Sequence, residues 1–185
     1  MSVMCHLGVV PVLLFASVAW ADVADCACDP KNPATMERRE CALCREAEKQ
    51  PASPAVFFLK DINPRKPNRW LALPRSHGKT PAHRLADMTP EERTELWSAA
   101  IRKGRELWGD GWGLAINGDY SRTQCHMHIH IGKLLEGLET DTFKVVDGPA
   151  GIPVPTDGDG IWVHPCGDKL HVHYGEQITE TVLMR

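Results

Sequence analysis

Between positions 124 and 131 the chain reads Gln-Cys-His-Met-His-Ile-His-Ile. Side chains of an extended segment alternate between faces, so a strand here sends His126, His128 and His130 to one side and Cys125, Met127, Ile129 and Ile131 into a core. One lone histidine in such a strand is ordinarily a solvated polar position. Three in strict alternation beside an apolar face point instead to a built site, catalytic or metal-binding. Cys125 falls on the face opposite the imidazoles and reads as a small buried hydrophobe.

The rest of the chain supplies elements to surround that strand. Thr89-Pro90-Glu91-Glu92 offers an N-cap, a proline at the first helical position and a capping-box glutamate. From there Leu96, Trp97, Ala100, Ile101, Leu107 and Trp108 recur at helical spacing, and Gly109 can end the helix. Residues 112–117 and 124–134 read as two strands joined by the turn 118–121, and 55–60 and 70–74 as a second pair around a turn-rich stretch. Residues 35–50 can form a helix that Pro51 and Pro54 terminate. Short strands are expected at 161–164 and 169–174. These elements predict an α+β fold, an antiparallel sheet of about five strands with the Thr89 helix packed on one face.

A length of 185 residues suits one compact domain with a small addition. The expected division is a signal peptide over 1–21, an irregular lead-in over 22–35, a catalytic domain over 36–137 and a C-terminal extension of unassigned role over 138–185. A net charge of -3 gives no basic surplus to attract a polyanion, which argues against nucleic acid as a partner. Residues 7–20 are an uncharged apolar run followed by Ala19-Trp20-Ala21, the pattern of a secretory leader cleaved before Asp22, although no Lys or Arg precedes Lys31. The alternative is an uncleaved anchor, but the run is shorter than the roughly 20 residues a spanning helix needs. A periplasmic or secreted location follows. Without Cys5 the six remaining cysteines are an even set, which suits disulfides, while Cys41-x-x-Cys44 also has the gap of a tetrahedral zinc site.

The pattern His126-x-His128-x-His130 with apolar spacers resembles the signature of the histidine-triad family. Other stretches look like family landmarks in the same order: Cys41-x-x-Cys44, Leu59 to Pro64, Leu73-Pro74-Arg75-Ser76-His77, the capped helix, and Leu114-Ala115-Ile116-Asn117. Together they span residues 40–134, roughly half the chain. Leu114 to Asn117 followed by Arg122-Thr123-Gln124 is most similar to the CDP-diacylglycerol pyrophosphatase branch. Cys41-x-x-Cys44 and His77 look more like the zinc-bearing branches that hydrolyse dinucleotides or transfer nucleotidyl groups.

The resemblance implies that His128 attacks an α-phosphorus and carries a nucleotidyl group that water later removes. It casts His126, His130 and Asn117 as donors to developing charge, and Thr123 and Gln124 as groups near the leaving group. It also places Asp61, Ile62 and Asn63 where a carboxylate accepts ribose hydroxyls and an aliphatic chain packs on the base. The plainer readings stay open: Asp61 can open the Asn63-Pro64 turn, Asn117 can cap a strand, and His77 can be a loop histidine. No cofactor is implied for catalysis, but a structural zinc on Cys41, Cys44, His77 and His126 is, with disulfides as its rival. The implied substrate is a nucleotide or nucleotide-linked lipid, the latter bringing the protein to a membrane surface, and many relatives are homodimers. Rival readings are a hydrolase or transferase of soluble dinucleotides or nucleoside phosphoramidates, and a non-catalytic exported metal-binding protein using the triad with His164, His171 and His173. His171 and His173 on an alternating strand otherwise fit a solvated face.

Overall fold

A computed structural model of the chain describes residues 23–77, 83–138 and 140–185, so the expected leader lies outside the described residues. Two short helices, α1 (Pro33–Met36) and α2 (Ala42–Glu48), precede the strand pair β1 (Val56–Lys60) and β2 (Trp70–Pro74). The long helix α3 (Pro90–Trp108) follows, then β3 (Trp112–Ile116), β4 (Ile129–Lys133), β5 (Phe143–Val146), β6 (Gly160–Cys166) and β7 (Lys169–Glu176). The strands form one sheet in the order β1-β2-β4-β3-β6-β7-β5, with antiparallel pairing throughout. The α+β class and the helix on the sheet agree with the sequence reading. The strand number does not: the described residues form a seven-stranded sheet, because the C-terminal segment adds β5, β6 and β7 to it. Strand β5 escaped the sequence reading because it is a four-residue edge strand, exposed at Phe143, Lys144 and Val145, among turn formers.

The capping box at the start of α3 is formed as read: Glu92 N–H donates to Thr89 Oγ1 (3.2 Å) and Thr89 N–H to Glu92 Oε2 (2.8 Å). Its buried stripe is Leu96, Trp97, Ala99, Ala100, Ile101 and Gly104. It ends at Gly109, whose φ of 56° a residue with a Cβ resists. The stripe covers one sheet face, meeting Leu114 and Ile116 of β3, Ile129 and Ile131 of β4, and Ile161 and Val163 of β6 in the main core. The opposite face is covered by α2, whose Ala47 packs with Phe57, Leu71 and Leu73, and by the C-terminal Val182 and Leu183 against Ala115 and Trp162. Arg69, 2% exposed, ties that terminal segment down by donating to the carbonyls of Leu183 and Met184.

Two expected elements are interrupted. The helix expected over 35–50 breaks after Met36, where Arg38 is extended (ψ 148°) and Arg39–Cys41 forms a single 3-10 turn before α2. The strand expected over 124–134 begins only at Ile129. Its partner β2 ends at Pro74, which has no N–H to continue a ladder, and the Pro74 carbonyl accepts instead from the ring of His126 (2.7 Å).

Register places one row of side chains across the whole sheet, on the face away from α3: Leu59, Leu71, His130, Ala115, Trp162, His173 and Phe143. This row carries His130 near one end and His173 near the other. Among the described residues no helix is long and apolar enough to cross a membrane.

Candidate functional site

The segment leading into β4 is clamped from several sides. Cys125 N–H donates to the Glu40 carbonyl (2.8 Å), and a disulfide joins Cys125 to Cys26. Gln124 accepts from Leu43 N–H (3.2 Å) and donates to the Arg39 carbonyl (3.1 Å). Cys125 is therefore buried, as read, but as half of a disulfide. A second disulfide joins Cys28 to Cys41. Disulfides are those of a chain in an oxidising environment.

The clamp fixes His128. Its Nδ1 lies 2.8 Å from the His126 carbonyl oxygen, which can only accept, so the proton is on Nδ1 and the Nε2 lone pair is available. Burial, helped by the neighbouring His130, pushes its pKa down to about 3, so the ring is neutral across the physiological range. The His130 ring packs edge-on against it at 4.9 Å and is likewise held down at about 4 by burial. Behind them stands Glu180, with an oxygen 2.5 Å from Lys66 Nζ, 3.0 Å from Arg69 Nη1 and 3.6 Å from His130 Nδ1. Burial alone would raise Glu180, but these neighbours outweigh it and take the carboxyl to about 2.

His128, His130 and Glu180 open on a cavity of about 710 Å³, ample for a nucleotide. All the residues read as substrate-binding line it: Asp61, Ile62, Asn63, Thr123 and Gln124, with Asn117 beside them. Their hydrogen bonds define what each does in the fold. Asp61 accepts from Asn63 N–H (2.9 Å), the Asx turn that its plainer reading foresaw. Asn117 Oδ1 accepts from the N–H groups of Thr179 and Glu180 (3.0 Å each) and so sets the position of Glu180. The amide of Gln124 is held by α2 and the turn before it. Ile62 is 98% exposed at the mouth, and Leu43, Leu59 and Leu71 give the cavity an apolar wall facing the cations Arg39, Arg45, Lys60 and Lys66.

His126 departs from the expected common face. Because the strand starts only at Ile129, its ring turns away from the cavity toward Cys44, His77 and His83, whose ligand atoms all lie within 4.8 Å of one another. The metal set read from sequence is corrected in one member: Cys41 is in a disulfide, and His83 takes its place. Only Cys44 of the Cys-x-x-Cys pair faces the cluster, since the break before α2 commits Cys41 to Cys28. The donors suit a tetrahedral ion. His126 Nε2–H donates to the Pro74 carbonyl, which turns the Nδ1 lone pair toward His83 Nδ1 at 3.2 Å. His77 Nε2 lies 2.6 Å from a Glu48 oxygen, and its buried Nδ1 has no hydrogen-bond partner among the described residues. His83 holds a positive φ of 42°, a conformation a non-glycine residue keeps only where its surroundings enforce it. Arg122, buried at 2% exposure, donates to the His83 carbonyl (3.1 Å). Burial pushes the Cys44 thiol up to about 12 and His83 down to about 4.

The chain matches no protein-family model and no curated protein. Its chemistry is read from its own geometry.

Sequence reasoning missed His83 and Glu180. His83 follows His77 by six residues, a spacing visible in the sequence. Glu180 carried no such signal, because its place depends on the terminal segment folding back across the sheet.

Proposed function

We propose that the protein is an exported, periplasmic or secreted, hydrolase of the histidine-triad kind, cleaving the phosphoanhydride of a CDP-linked lipid such as CDP-diacylglycerol into CMP and phosphatidate. The observation that carries this reading is His128: a neutral imidazole, its Nδ1–H on a backbone carbonyl, at the wall of a nucleotide-sized cavity. In the first step the Nε2 lone pair forms a bond to the α-phosphorus while the bond to the bridging oxygen breaks, and phosphatidate leaves with that electron pair. In the second, a water oxygen attacks the same phosphorus, the P–N pair returns to Nε2 and CMP leaves, the water's proton passing to solvent. His130 and Lys66 face the place where phosphoryl charge develops. Glu180 orients them. His126 serves by its backbone carbonyl, which selects the reactive tautomer, while its ring belongs to the neighbouring cluster.

The apolar wall supports a lipid or base, and the cations around it support a diphosphate. Zinc on Cys44, His77, His83 and His126 would be structural: it would pin α2 and the segment after β2 to the segment carrying His128, with no part in the chemistry. Catalysis itself then needs no cofactor.

The test is CMP release from CDP-diacylglycerol in detergent micelles, beside a dinucleotide and a nucleoside phosphoramidate, with wild-type protein and His128→Ala. CMP release that depends on detergent and on His128 is expected. Turnover of the soluble esters alone would move the assignment to the dinucleotide-type enzymes, and no turnover of any ester would end the enzymatic reading.

A further inference from the structure

A second histidine cluster lies far from the cavity. On the face away from α3, His164 of β6 and His171 and His173 of β7 bring ligand nitrogens within 4.8 Å of one another. The pairing of the two strands sets Trp162 opposite His173 and His164 opposite His171. His173 of β7 is fully buried, which overturns the expectation of a solvated position there, while His171 is partly exposed; His164 of β6 is 7% exposed. Along the register row His173 stands three strands from His130, about 15 Å away at the usual strand spacing, so the two sites are separate.

Hydrogen bonds orient both buried rings. His164 Nδ1 lies 3.1 Å from the Pro165 carbonyl oxygen, an acceptor only, so it is protonated. His173 Nδ1 lies 2.8 Å from Thr140 Oγ1, which holds that ring in place. The Nε2 atoms of the two rings then stand 3.1 Å apart. A transition ion can take the place of a proton between two such nitrogens. Ligands at 2.0–2.1 Å from a tetrahedral ion stand about 3.3 Å apart, close to this separation. The rings are also held in plane. Trp162 stacks on His173 with centroids 3.7 Å apart and planes 7° from parallel, and Phe143 covers His171 at 4.9 Å.

The geometry points to a second metal centre, in which His164, His171 and His173 bind one imidazole-preferring transition ion of the Zn2+ class. The ion would sit between β6 and β7, with Thr140 orienting one ligand and Phe143 of β5 covering another. Among the described residues the set is three imidazoles with no thiolate, which suits a fourth ligand that is water or an oxygen. This centre is independent of the reading of His128.

The experiment is equilibrium dialysis of the chelator-stripped protein against Zn2+, with metal content read by atomic emission. Wild type should take up one ion more per chain than His164→Gln/His171→Gln. His77→Gln, which disturbs the Cys44 cluster, should keep that ion. Because the double variant can lose its fold, His171→Gln alone is measured too, at a partly exposed position. It should melt as wild type does when metal-free and bind that ion at least tenfold more weakly. Equal stoichiometry and affinity in wild type and His171→Gln would overturn the centre and leave the three rings as a hydrogen-bonded cluster of the core.

Discussion

At the scale of single residues, His128 is distinguished from its two neighbours by what each ring touches. Only His128 has an Nδ1–H held by a carbonyl and an Nε2 directed to the cavity, so His128→Ala should lower turnover by roughly 10³-fold or more. His130→Ala should leave measurable activity, since on the proposed mechanism it removes a donor and not the nucleophile. Rapid quench after brief mixing with CDP-diacylglycerol should trap one nucleotidyl group per chain in wild type. Its absence would favour direct attack by water. The depressed pKa of His128, about 3, also gives a pH signature. The acid limb of kcat/KM should fall near pH 3 to 4, measured in short assays where the protein stays folded, and a limb at the ordinary histidine value near 6.5 would place the reactive imidazole elsewhere. Glu180 is a residue of a different kind. Lys66 and Arg69 share its carboxylate and Arg69 is almost fully buried, so Glu180→Gln leaves cations without their counter-charge. A loss of about 2–3 kcal/mol is expected from the urea midpoint, below the full value for a buried pair because Lys66 keeps some access to water.

At the scale of elements, α3 and its capping box, the pairs β1–β2 and β3–β4, and the single strands β6 and β7 were legible because caps, turn formers and alternation are local signals. What could not be read was where the alternation stops. The three histidines obey a strand pattern in sequence, yet Pro74 ends the neighbouring ladder and the disulfide to Cys26 draws the preceding residues toward α2. Both causes lie 50 or more residues away, and the result sends His126 to a different site from His128 and His130. Pairing of the cysteines was equally hidden, since Cys41-x-x-Cys44 looks like one unit and its two sulfurs end in different places. The disulfides allow a comparison. Cys26–Cys125 spans 99 residues and Cys28–Cys41 only 13, so in the chain-entropy account the first constrains the unfolded chain more. Cys26→Ser/Cys125→Ser should lose on the order of 2–4 kcal/mol in guanidinium unfolding, more than Cys28→Ser/Cys41→Ser. The first pair should also lower activity, because it frees the segment whose carbonyl orients His128. An equal or smaller stability loss for the long pair would mean that the lead-in stays docked without it.

At the scale of the whole molecule, the sheet gathers histidines into its buried face and keeps them neutral, and this makes stability depend on pH. Burial holds His128 near 3 and both His83 and His130 near 4, whereas in the unfolded chain each titrates near 6.5. Between pH 6.5 and 4 the unfolded state therefore binds protons that the native state refuses. Stability is fully present above the unfolded value and is lost progressively as the pH falls through that window. Glu180 extends the loss further down. Its carboxyl is held near 2 against an ordinary value near 4.5, so its contribution is whole above about 4.5 and disappears as the pH approaches 2. One pH unit between the titrations of the two states corresponds to about 1.4 kcal/mol, so the histidines together make the acid loss several kcal/mol. The sequence hinted at this in its nine histidines but not at its size, because the fold-back of residues 179–183 and the β6–β7 hairpin close the face that a shorter sheet would leave open. Calorimetric melting of the metal-free protein from pH 8 to pH 4 should show a near-level Tm above pH 7 and a steep decline below 6.5. His130→Asn should make that decline shallower, since one of the depressed imidazoles is gone. A Tm that stayed level down to pH 4 would mean these rings take up protons in the folded state, and the neutral nucleophile on which the proposed hydrolysis depends would go with it.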